Sequence, residues 1–427
     1  MMQELKFGIL GGTRGIDSLY RVFLNHPYAE VSAICENFEP LRNIIKEEVS
    51  SLGTDCHVFA NFDDMLNSGI DAVLLANYAN QHAPYAIKAL RKKIHVFSES
   101  IPTQTMKEAV ELCEAVEESG ALYGYGENYC YLPHLLAIKD MFDRGELGNV
   151  MHMEGNFIND CSMKWHLLTR GDASHWRNHV PSTFYCTHSI GPMLFSTGLR
   201  SVMTVGMETN RMPYMAEVGA RSGSGAMEIM QLDNGGMAKS INGNYRRTYS
   251  ADYRFITEYG TVESDPYNFG KLYISKPNGN GYTTIDETHK NFLFKNIEVF
   301  AANDIGKMNH HEKADVYQLN IFIQSILGNA DAKKYMIDVY RALDMSTVGT
   351  LAYHSILNGN VPVRIPNMRI KEDREPYKYD NRSTDEHISK GAELLPSSKN
   401  GFISVDNDIY ERVKKAFYDR PITSGGK

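Results

Sequence analysis

The sequence predicts an α/β protein in which a doubly wound parallel sheet precedes a second α/β domain with a large, mostly antiparallel open sheet. Up to about residue 128, short apolar runs alternate with helical periodicity, which is typical of parallel strands joined by helices. From residue 150 onward, strand-like runs follow one another directly. Turn residues such as Asp233-Asn234-Gly235-Gly236 separate them, which indicates hairpins.

The first domain is predicted to cover residues 1–128. Five apolar runs predict its strands: 7–10, 30–35, 71–76, 95–98 and 121–124. The run at 71–76 is apolar throughout its centre, as expected for a strand buried on both faces. Three stretches with apolar residues at helical spacing predict its helices: 18–25, 83–92 and 106–119.

Residues 129–368 are predicted to form the second domain. It begins with a helix at 132–144 that ends at Gly145. Six strands are expected next: 150–158, 201–208, 226–232, 237–242, 253–258 and 271–274. Two helices, at 315–327 and 332–358, complete the domain. Residues 369–427 form a polar, irregular tail that can wrap the body or lie at a subunit contact.

Composition and charge exclude several classes of protein. The 427 residues are 42% hydrophobic and 22% charged, as in ordinary soluble globular proteins. The formal net charge of −8 gives no reason to expect a nucleic-acid partner. No apolar run reaches the roughly 18 residues that a membrane span needs. The N-terminus has no long apolar signal core, and no cysteine forms a Cys-x-x-Cys pair, so we expect a cytoplasmic protein with unpaired thiols.

A glycine-rich turn follows the first strand, at Gly11-Gly12-Thr13-Arg14-Gly15-Ile16. A dinucleotide-binding fingerprint needs small residues where the turn tightens and where the backbone meets the pyrophosphate. In the frame that begins at Gly11, Thr13 takes the second glycine position and Ile16 the third, so a plain strand–helix turn is the alternative. Glu36 ends the second strand, where a carboxylate binds ribose hydroxyls and repels a 2′-phosphate. We therefore expect a Rossmann domain that binds NAD, with Gly11, Gly12, Thr13, Arg14 and Glu36 at the cofactor.

The most informative stretch of the second domain is Tyr185-Cys186-Thr187-His188-Ser189-Ile190-Gly191-Pro192. A phenol and an imidazole three residues apart can act as two proton-transfer groups on one substrate. The alternatives are a core aromatic at Tyr185 and a histidine satisfied by local hydrogen bonds at His188. Other histidines crowd the regions 166–188 and 310–311, but their spacing fits no compact ligand motif, so we expect no metal site.

These motifs resemble the glucose–fructose oxidoreductase / inositol dehydrogenase / MocA family over about residues 5 to 365. The stretch from Ala76 to His82 stands where that family carries Ala-Thr-Pro-x-x-x-His, and His95-Val96-Phe97-Ser98-Glu99 matches its His-Val-x-x-Glu. The resemblance implies that Asn77, His82 and Glu99 lie at the cofactor, and that an open sheet forms an oligomer interface. After that glutamate, the family's dehydrogenases continue with Lys-Pro, and the lysine assists proton transfer. In this chain Ser100-Ile101 take those two positions, and the absence of the lysine argues against a simple sugar dehydrogenase.

Within that superfamily, the chain is similar to glycoside hydrolase family 109, whose NAD-dependent glycosidases also lack the lysine. Glu127-Asn128-Tyr129-Cys130-Tyr131 corresponds to its Glu-Asn-x-x-Tyr segment, and Trp176-Arg177 to its Trp-Arg. The Tyr185–Pro192 stretch corresponds to Tyr-Pro-Thr-His-Gly-x-Gly-Pro, and His311 to Asp315 loosely to His-Gly-Gly-x-Asp. Its Tyr-x-His-Asp is replaced by Phe157-Ile158-Asn159-Asp160, so N-acetylgalactosamine specificity is not carried over.

The resemblance implies an NAD-dependent glycoside hydrolase that acts on a small-molecule glycoside with no net redox change. Its cycle is oxidation at C3, elimination between C1 and C2, addition of water and re-reduction. His188 and Tyr185 are expected to transfer protons, with Arg177 either ionising Tyr185 or binding a substrate oxygen or anion. Glu127, Asn159 and Trp176 are expected at the substrate, and Asn128 at the cofactor. The basic stretch 164–179 suggests an anionic sugar, with a solvated loop as the alternative.

Two other functions stay open at this point. One is an NAD-dependent sugar or inositol dehydrogenase with a different proton relay, which would accumulate NADH. The other is a nucleotide-sensing or scaffold protein with a decayed active site, which would bind NAD without turnover. A homo-oligomer is expected in each case, because an exposed antiparallel sheet favours self-association.

Overall fold

Six parallel strands form the first sheet of the computed structural model, which describes residues 4–23, 26–245, 249–268, 270–277, 279–284, 296–301 and 307–420. In chain order they are β1 (Leu5–Leu10), β2 (Ala29–Cys35), β3 (His57–Phe59), β4 (Ala72–Leu75), β5 (His95–Glu99) and β6 (Tyr123–Gly126). Their spatial order is β3-β2-β1-β4-β5-β6. All four residues of β4 are buried, as its apolar sequence predicts.

Helices connect these strands. A helical segment follows β1 in three parts, Gly12–Arg14, a π-helical Gly15–Tyr20 and Arg21–Phe23. Four further helices belong to this half: Glu39–Ser51, Phe62–Leu66, His82–Arg91 and Met106–Ser119. The last begins with a capping box between Thr105 and Glu108 and ends at Gly120, whose φ is 67°. The predicted parallel, doubly wound sheet is confirmed.

The second sheet has nine strands in the order β14-β13-β12-β11-β7-β10-β9-β8-β15. Their bounds are β7 Val150–Ile158, β8 Ser201–Glu208, β9 Gly225–Leu232, β10 Met237–Gly243, β11 Ser250–Thr257, β12 Gly260–Ser264, β13 Lys271–Lys276, β14 Gly279–Thr284 and β15 Val363–Arg364. Only the pair β7–β10 is parallel among these strands, and the others are antiparallel. The predicted mostly antiparallel open sheet is therefore confirmed.

Some helices of this half pack against the second sheet, and others pack against the first sheet. Their bounds are Pro133–Asp143, Trp165–Thr169, Thr187–Thr197, Pro213–Ala216, His310–Ile326, Ala330–Tyr335 and Val339–Leu357. The Thr187–Thr197 helix lies close to β7, where a Cβ atom at Gly155 would come within 2.3 Å of the Ser189 carbonyl oxygen. The His310–Ile326 helix packs against the first sheet, with Phe322 beside Phe97 at 5.4 Å between ring centroids.

Two predictions for the C-terminal part were wrong. The expected single helix over 332–358 is two helices, because Asp338 caps a new helix by accepting a hydrogen bond from the Arg341 backbone N–H. The tail after Arg369 is not irregular throughout, since it contains the helices Lys371–Arg374 and Asn407–Tyr418. The tail wraps the body: Asp385 accepts a hydrogen bond from Asn80, at 2.9 Å.

None of the helices in the described ranges is long and apolar enough to cross a membrane. All six cysteines are free thiols, and four of them are buried.

Candidate active site

A cleft of about 650 Å³ lies at the carboxyl ends of the parallel strands. One wall is the glycine-rich turn after β1 together with Glu36, Asn77 and Glu99. The opposite wall belongs to the second half of the chain and includes Asn159, Trp176, Arg177, Tyr185 and His188. In open α/β sheets, ligands bind at this edge, where neighbouring strands send their connections to opposite faces.

The glycine-rich turn is shaped for a close backbone approach. Gly11 has a φ of 102°, and a Cβ atom there would lie 2.5 Å from the Ala76 carbonyl oxygen. Gly15, rather than Ile16, provides the close contact between helix and strand, since its Cβ would lie 2.5 Å from Ile9 Cγ2. The predicted alignment with the dinucleotide fingerprint, which placed Ile16 at the third glycine position, therefore differs from the structure at that position. The turn is one residue tighter than the full fingerprint, with Thr13 lining the cleft.

Glu36 is buried at the end of β2 and faces the turn. Its carboxylate accepts hydrogen bonds from the backbone N–H of Gly12, at 2.7 Å, and of Phe38, at 2.8 Å. A fixed carboxylate at this place can accept hydrogen bonds from ribose hydroxyls and repels a 2′-phosphate. The Asn77 side-chain oxygen is also buried here without a hydrogen-bond partner in the described ranges, and it offers an acceptor to a bound group. These features fit NAD.

Arg14 joins the turn to the second half of the chain. Its guanidinium bonds Glu99, at 2.9 Å, and Asp315, at 2.7 Å. Asn128 donates to the same Asp315 oxygen, at 3.2 Å, and lies 2.8 Å from His311 Nε2. Burial raises the pKa of Asp315, but the Arg14 charge and His311 outweigh burial and hold it well below its usual range. Arg14, Glu99 and Asn128 thus line the cleft, with Arg14 bonded directly to Glu99 and linked to Asn128 through Asp315.

His82 is one of the residues that line the cleft. The ring is buried, with Nδ1 3.0 Å from the Ile101 carbonyl oxygen and Nε2 3.3 Å from that of Asn77. Burial lowers the pKa of His82 to about 4, so the ring is neutral. It ties the segment Ser100-Ile101, whose peptide bond is cis, to the loop after β4.

His188 and Glu127 form the central hydrogen bond of the site. His188 stands in the first turn of the Thr187–Thr197 helix, and its Nδ1 lies 2.7 Å from a carboxylate oxygen of Glu127. The Glu127 side chain is fully buried, whereas 15% of the His188 side chain is exposed. A carboxylate at Nδ1 holds the proton on that nitrogen and leaves Nε2 as the acceptor. Glu127 was expected at the substrate, and its buried carboxylate lies against His188.

Four aromatic residues that were not predicted as site residues lie around His188: Tyr129, Phe157, Tyr249 and Tyr253. Tyr129 and Phe157 each have ring centroids 4.6 Å from that of His188. The hydroxyls of Tyr129 and Tyr249 hydrogen-bond each other. Behind the ring, Tyr253 donates from its hydroxyl to the His188 carbonyl oxygen at 2.6 Å. The alternation of polar and aromatic residues in β11 was the available signal for Tyr253, but it does not indicate which rings meet.

Tyr185 and Arg177 lie on the other side of His188. The Tyr185 ring stacks on the imidazole at 5.9 Å between centroids. The Arg177 guanidinium carbon lies 4.5 Å from the Trp176 ring centroid and 5.4 Å from that of Tyr185. Burial raises the pKa of the Tyr185 phenol, and the Arg177 charge offsets only part of that rise. The Arg177 charge thus acts in the expected direction on Tyr185 but is smaller than the effect of burial, and both expected roles of Arg177 stay predictions.

Asn159 follows β7 and lines the cleft, with its backbone N–H bonded to the Gly243 carbonyl oxygen at 3.0 Å. Trp176 also lines the cleft and is buried. The structure thus brings the expected substrate-side residues together around His188. Within the described ranges, no group of three or more His, Cys, Asp or Glu side chains is arranged to hold a metal ion.

Comparisons with known proteins agree with this geometry. Residues 5–127 match the glucose–fructose oxidoreductase / inositol dehydrogenase / MocA family, described as "Oxidoreductase family, NAD-binding Rossmann fold". The chain is 24% identical to "Glycosyl hydrolase family 109 protein 2" of Phocaeicola vulgatus, over 85% of this chain and 94% of that protein. It is 23% identical to "Alpha-N-acetylgalactosaminidase" of Bacteroides fragilis, over 83% and 89%.

Among solved structures, an inositol dehydrogenase homolog from Azotobacter vinelandii, complexed with NADH and myo-inositol, shares the fold. Its TM-score is 0.67 at 15% identity, covering 85% of this chain and 98% of that one. The N-terminal part of the chain, residues 5–127, is therefore an NAD-binding Rossmann domain that matches this oxidoreductase family.

Proposed function

We propose that the protein is an NAD-dependent glycoside hydrolase that acts by transient oxidation at C3, elimination between C1 and C2, addition of water and re-reduction. The observation that carries the proposal is the presence of two proton-transfer groups at one cleft. They are His188, oriented by Glu127, and Tyr185, beside Arg177. Similarity along most of the chain to proteins named glycosyl hydrolase family 109 supports it.

Each group has one task in this cycle. NAD⁺, which Gly11, Gly12 and Glu36 would hold, would supply the reversible hydride chemistry at C3 of the sugar. His188 Nε2 takes the proton of the C3 hydroxyl, and the ketone that results acidifies the hydrogen on C2. Tyr185 removes that proton while the bond from C1 to the aglycon oxygen breaks. Water then adds at C1, a proton returns to C2, and the net reaction is hydrolysis.

The remaining residues bind or position. Arg177, Trp176 and Asn159 line the cleft and are assigned to the substrate. Because burial raises the pKa of Tyr185, the phenolate that acts as base becomes more populated as pH rises. We therefore expect kcat to increase as the pH rises above neutrality. Full turnover by the Tyr185→Phe variant or by the His188→Ala variant would remove the role given to the residue that was replaced.

A sugar dehydrogenase is the second candidate, and one observation favours it. The His188–Glu127 pair by itself provides the base that oxidation of an alcohol requires. The two functions differ in their products. A dehydrogenase accumulates NADH with a free sugar, whereas the glycosidase releases an aglycon and leaves the amount of NAD unchanged.

The test is a panel of nitrophenyl and natural glycosides, with and without added NAD⁺. Release of the aglycon without accumulation of NADH supports the proposal. Accumulation of NADH without release supports the dehydrogenase, and NAD binding without either reaction supports a binding protein.

The outer face of the second sheet suggests self-association. Met203, Met207, Ile229 and Met237 lie on this face and are 37–53% exposed. We propose that this face of the sheet forms an interface with a second copy of the chain. Because the cysteines are free thiols, we also propose that the protein resides in the cytoplasm. Light scattering should give at least a dimer, and Ile229→Asp should shift it toward the monomer.

A further inference from the structure

A second cavity, of about 330 Å³, adjoins the cleft at the proposed reaction centre. Tyr185, His188 and Arg177 line both spaces, so a substrate at these groups can extend into the second cavity. Apolar side chains form much of its wall, including Trp165, Leu168 and Met215. The amides of Asn242 and Asn244 complete it near the end of β10.

The charges on this wall are unbalanced. Arg177 and Lys164 line the cavity, and no Asp or Glu side chain does so in the described ranges. Among the residues that the structure describes, neither cation forms an ion pair with a carboxylate, although the chain has a net charge of −8. Other arginines with well-buried side chains are paired, as Arg200 is with Asp344 at 2.9 Å. A half-buried guanidinium without a counter-charge is the arrangement expected of a site for an anion.

The position of Arg177 favours a directed contact. Its guanidinium lies against the rings of Trp176 and Tyr185 and hydrogen-bonds the Tyr185 side chain, which fixes its plane and leaves its other N–H groups for a ligand. Such a planar donor matches the oxygens of a carboxylate, a sulfonate or a phosphate ester. Lys164 is exposed and adds a second positive charge nearby.

We propose that the second cavity binds an anionic group of the substrate, with Arg177 as its principal partner. The proposal rests on the proposed function only in treating the ligand as a glycoside. The group belongs either to the sugar, as in a uronic acid, or to the aglycon. In both cases the substrate is an anionic glycoside rather than a neutral one.

Calorimetric titration of the NAD-loaded protein tests the binding without turnover. The probes are D-glucuronate and D-galacturonate, with D-glucose and D-galactose as their neutral counterparts, and nitrophenyl phosphate as an anionic aglycon mimic. At least one anion should bind about 10- to 100-fold more tightly than its neutral counterpart, the range expected of a charge-assisted hydrogen bond. Equal binding, or no binding of any anion, would overturn the proposal.

Variants then assign the effect. Arg177→Gln should abolish the preference for the anion, and Arg177→Lys should keep part of it because the charge remains. Unchanged melting temperature and NAD affinity show that these variants are folded. Retention of the full preference in Arg177→Gln would overturn the assignment. Cleavage assays separate the two ideas: release from neutral and anionic glycosides alike contradicts only the anion site, and tight anion binding without release from any glycoside contradicts only the proposed hydrolase.

A different observation concerns the C-terminal tail. Arg170 lines the cofactor cleft near Glu36, and its guanidinium carbon lies 4.2 Å from the Phe38 ring centroid and 5.8 Å from that of Phe417. Phe417 belongs to the tail helix Asn407–Tyr418. That helix packs beside Gly171, where a Cβ atom would lie 2.3 Å from the Lys414 backbone nitrogen. The tail therefore supports Arg170 at the edge of the cleft.

We infer that Arg170, held between Phe38 and Phe417, binds the adenosine–pyrophosphate part of NAD, and that the tail helix is a part of the cofactor site. The test is the NAD dissociation constant, measured by fluorescence titration. Arg170→Gln and Phe417→Ala should each raise it about 10-fold, the loss expected for one charge-assisted contact. Lys415→Ala, an exposed change on the same helix, is the control and should leave it unchanged. Affinity unaltered by both test variants would overturn the inference.

Discussion

Replacing Glu127 by Gln tests the positioning of His188 most sharply. The change keeps the size of the side chain but removes its charge, at a site where the carboxylate is fully buried and lies 2.7 Å from Nδ1. A hydrogen bond to a charged group contributes about 1.5–3 kcal/mol. If that contribution is needed when His188 becomes positively charged, its loss lowers kcat about 10- to 150-fold.

The assay compares kcat for the glycoside found in the panel, together with NAD affinity and melting temperature. An amide can also donate to Nδ1, which moves the histidine proton to Nε2 and removes the base from the cleft. We expect a loss in kcat while the NAD dissociation constant stays unchanged. Ser100→Ala is the matched control, because it removes only long contacts, of 3.4 Å each, to the other Glu127 oxygen and to the Gly126 carbonyl oxygen, and its kcat should fall less than threefold. A Glu127→Gln variant with wild-type kcat would refute the reasoning.

Three further predictions concern the cofactor half and pH. Gly11→Ala forces a side chain into a φ of 102° and against the Ala76 backbone, so thermal unfolding should show a loss of roughly 1–3 kcal/mol and titration a loss of NAD binding; a wild-type melting temperature would contradict this. Glu36→Gln removes the charge at the ribose position, so the ratio of NADP to NAD dissociation constants should fall; an unchanged ratio would place the ribose elsewhere. The pKa of buried His82 is about 4 in the folded protein against an ordinary value near 6.5, so the unfolded state binds more protons between these values. The free energy of unfolding should therefore decrease as pH falls from 6.5 to 4, by up to about 1.4 kcal/mol per unit for this group, and His82→Gln should flatten the decrease.

The cofactor turn could be predicted because its signals are local. Gly11 follows a strand directly, and Glu36 ends the next one, so both lie at the same edge of the sheet whatever the rest of the chain does. The exact frame could not be predicted. Whether Gly15 or Ile16 meets β1 depends on the π-helical turn Gly15–Tyr20, which a fingerprint of fixed spacing does not anticipate.

The pairings within the site could not be predicted, since their partners come from distant parts of the chain. Glu127 and His188 are 61 positions apart, and Arg14 and Asp315 are 301 apart. The sequence indicated Glu127 as a polar residue of the site but not that it is buried behind His188. Likewise, the apolar pattern over 332–358 is continuous, and only the Asp338 cap divides it into two helices.

The position of deuterium in the product tests the central claim most directly. A glycoside that is cleaved in D₂O, in the presence of NAD⁺, is analysed by NMR for exchange at C2 of the released sugar. The account predicts deuterium at C2, because the C2 proton is removed during elimination and solvent returns one. A released sugar without deuterium at C2 would contradict it, since direct displacement at C1 leaves the C2 hydrogen in place.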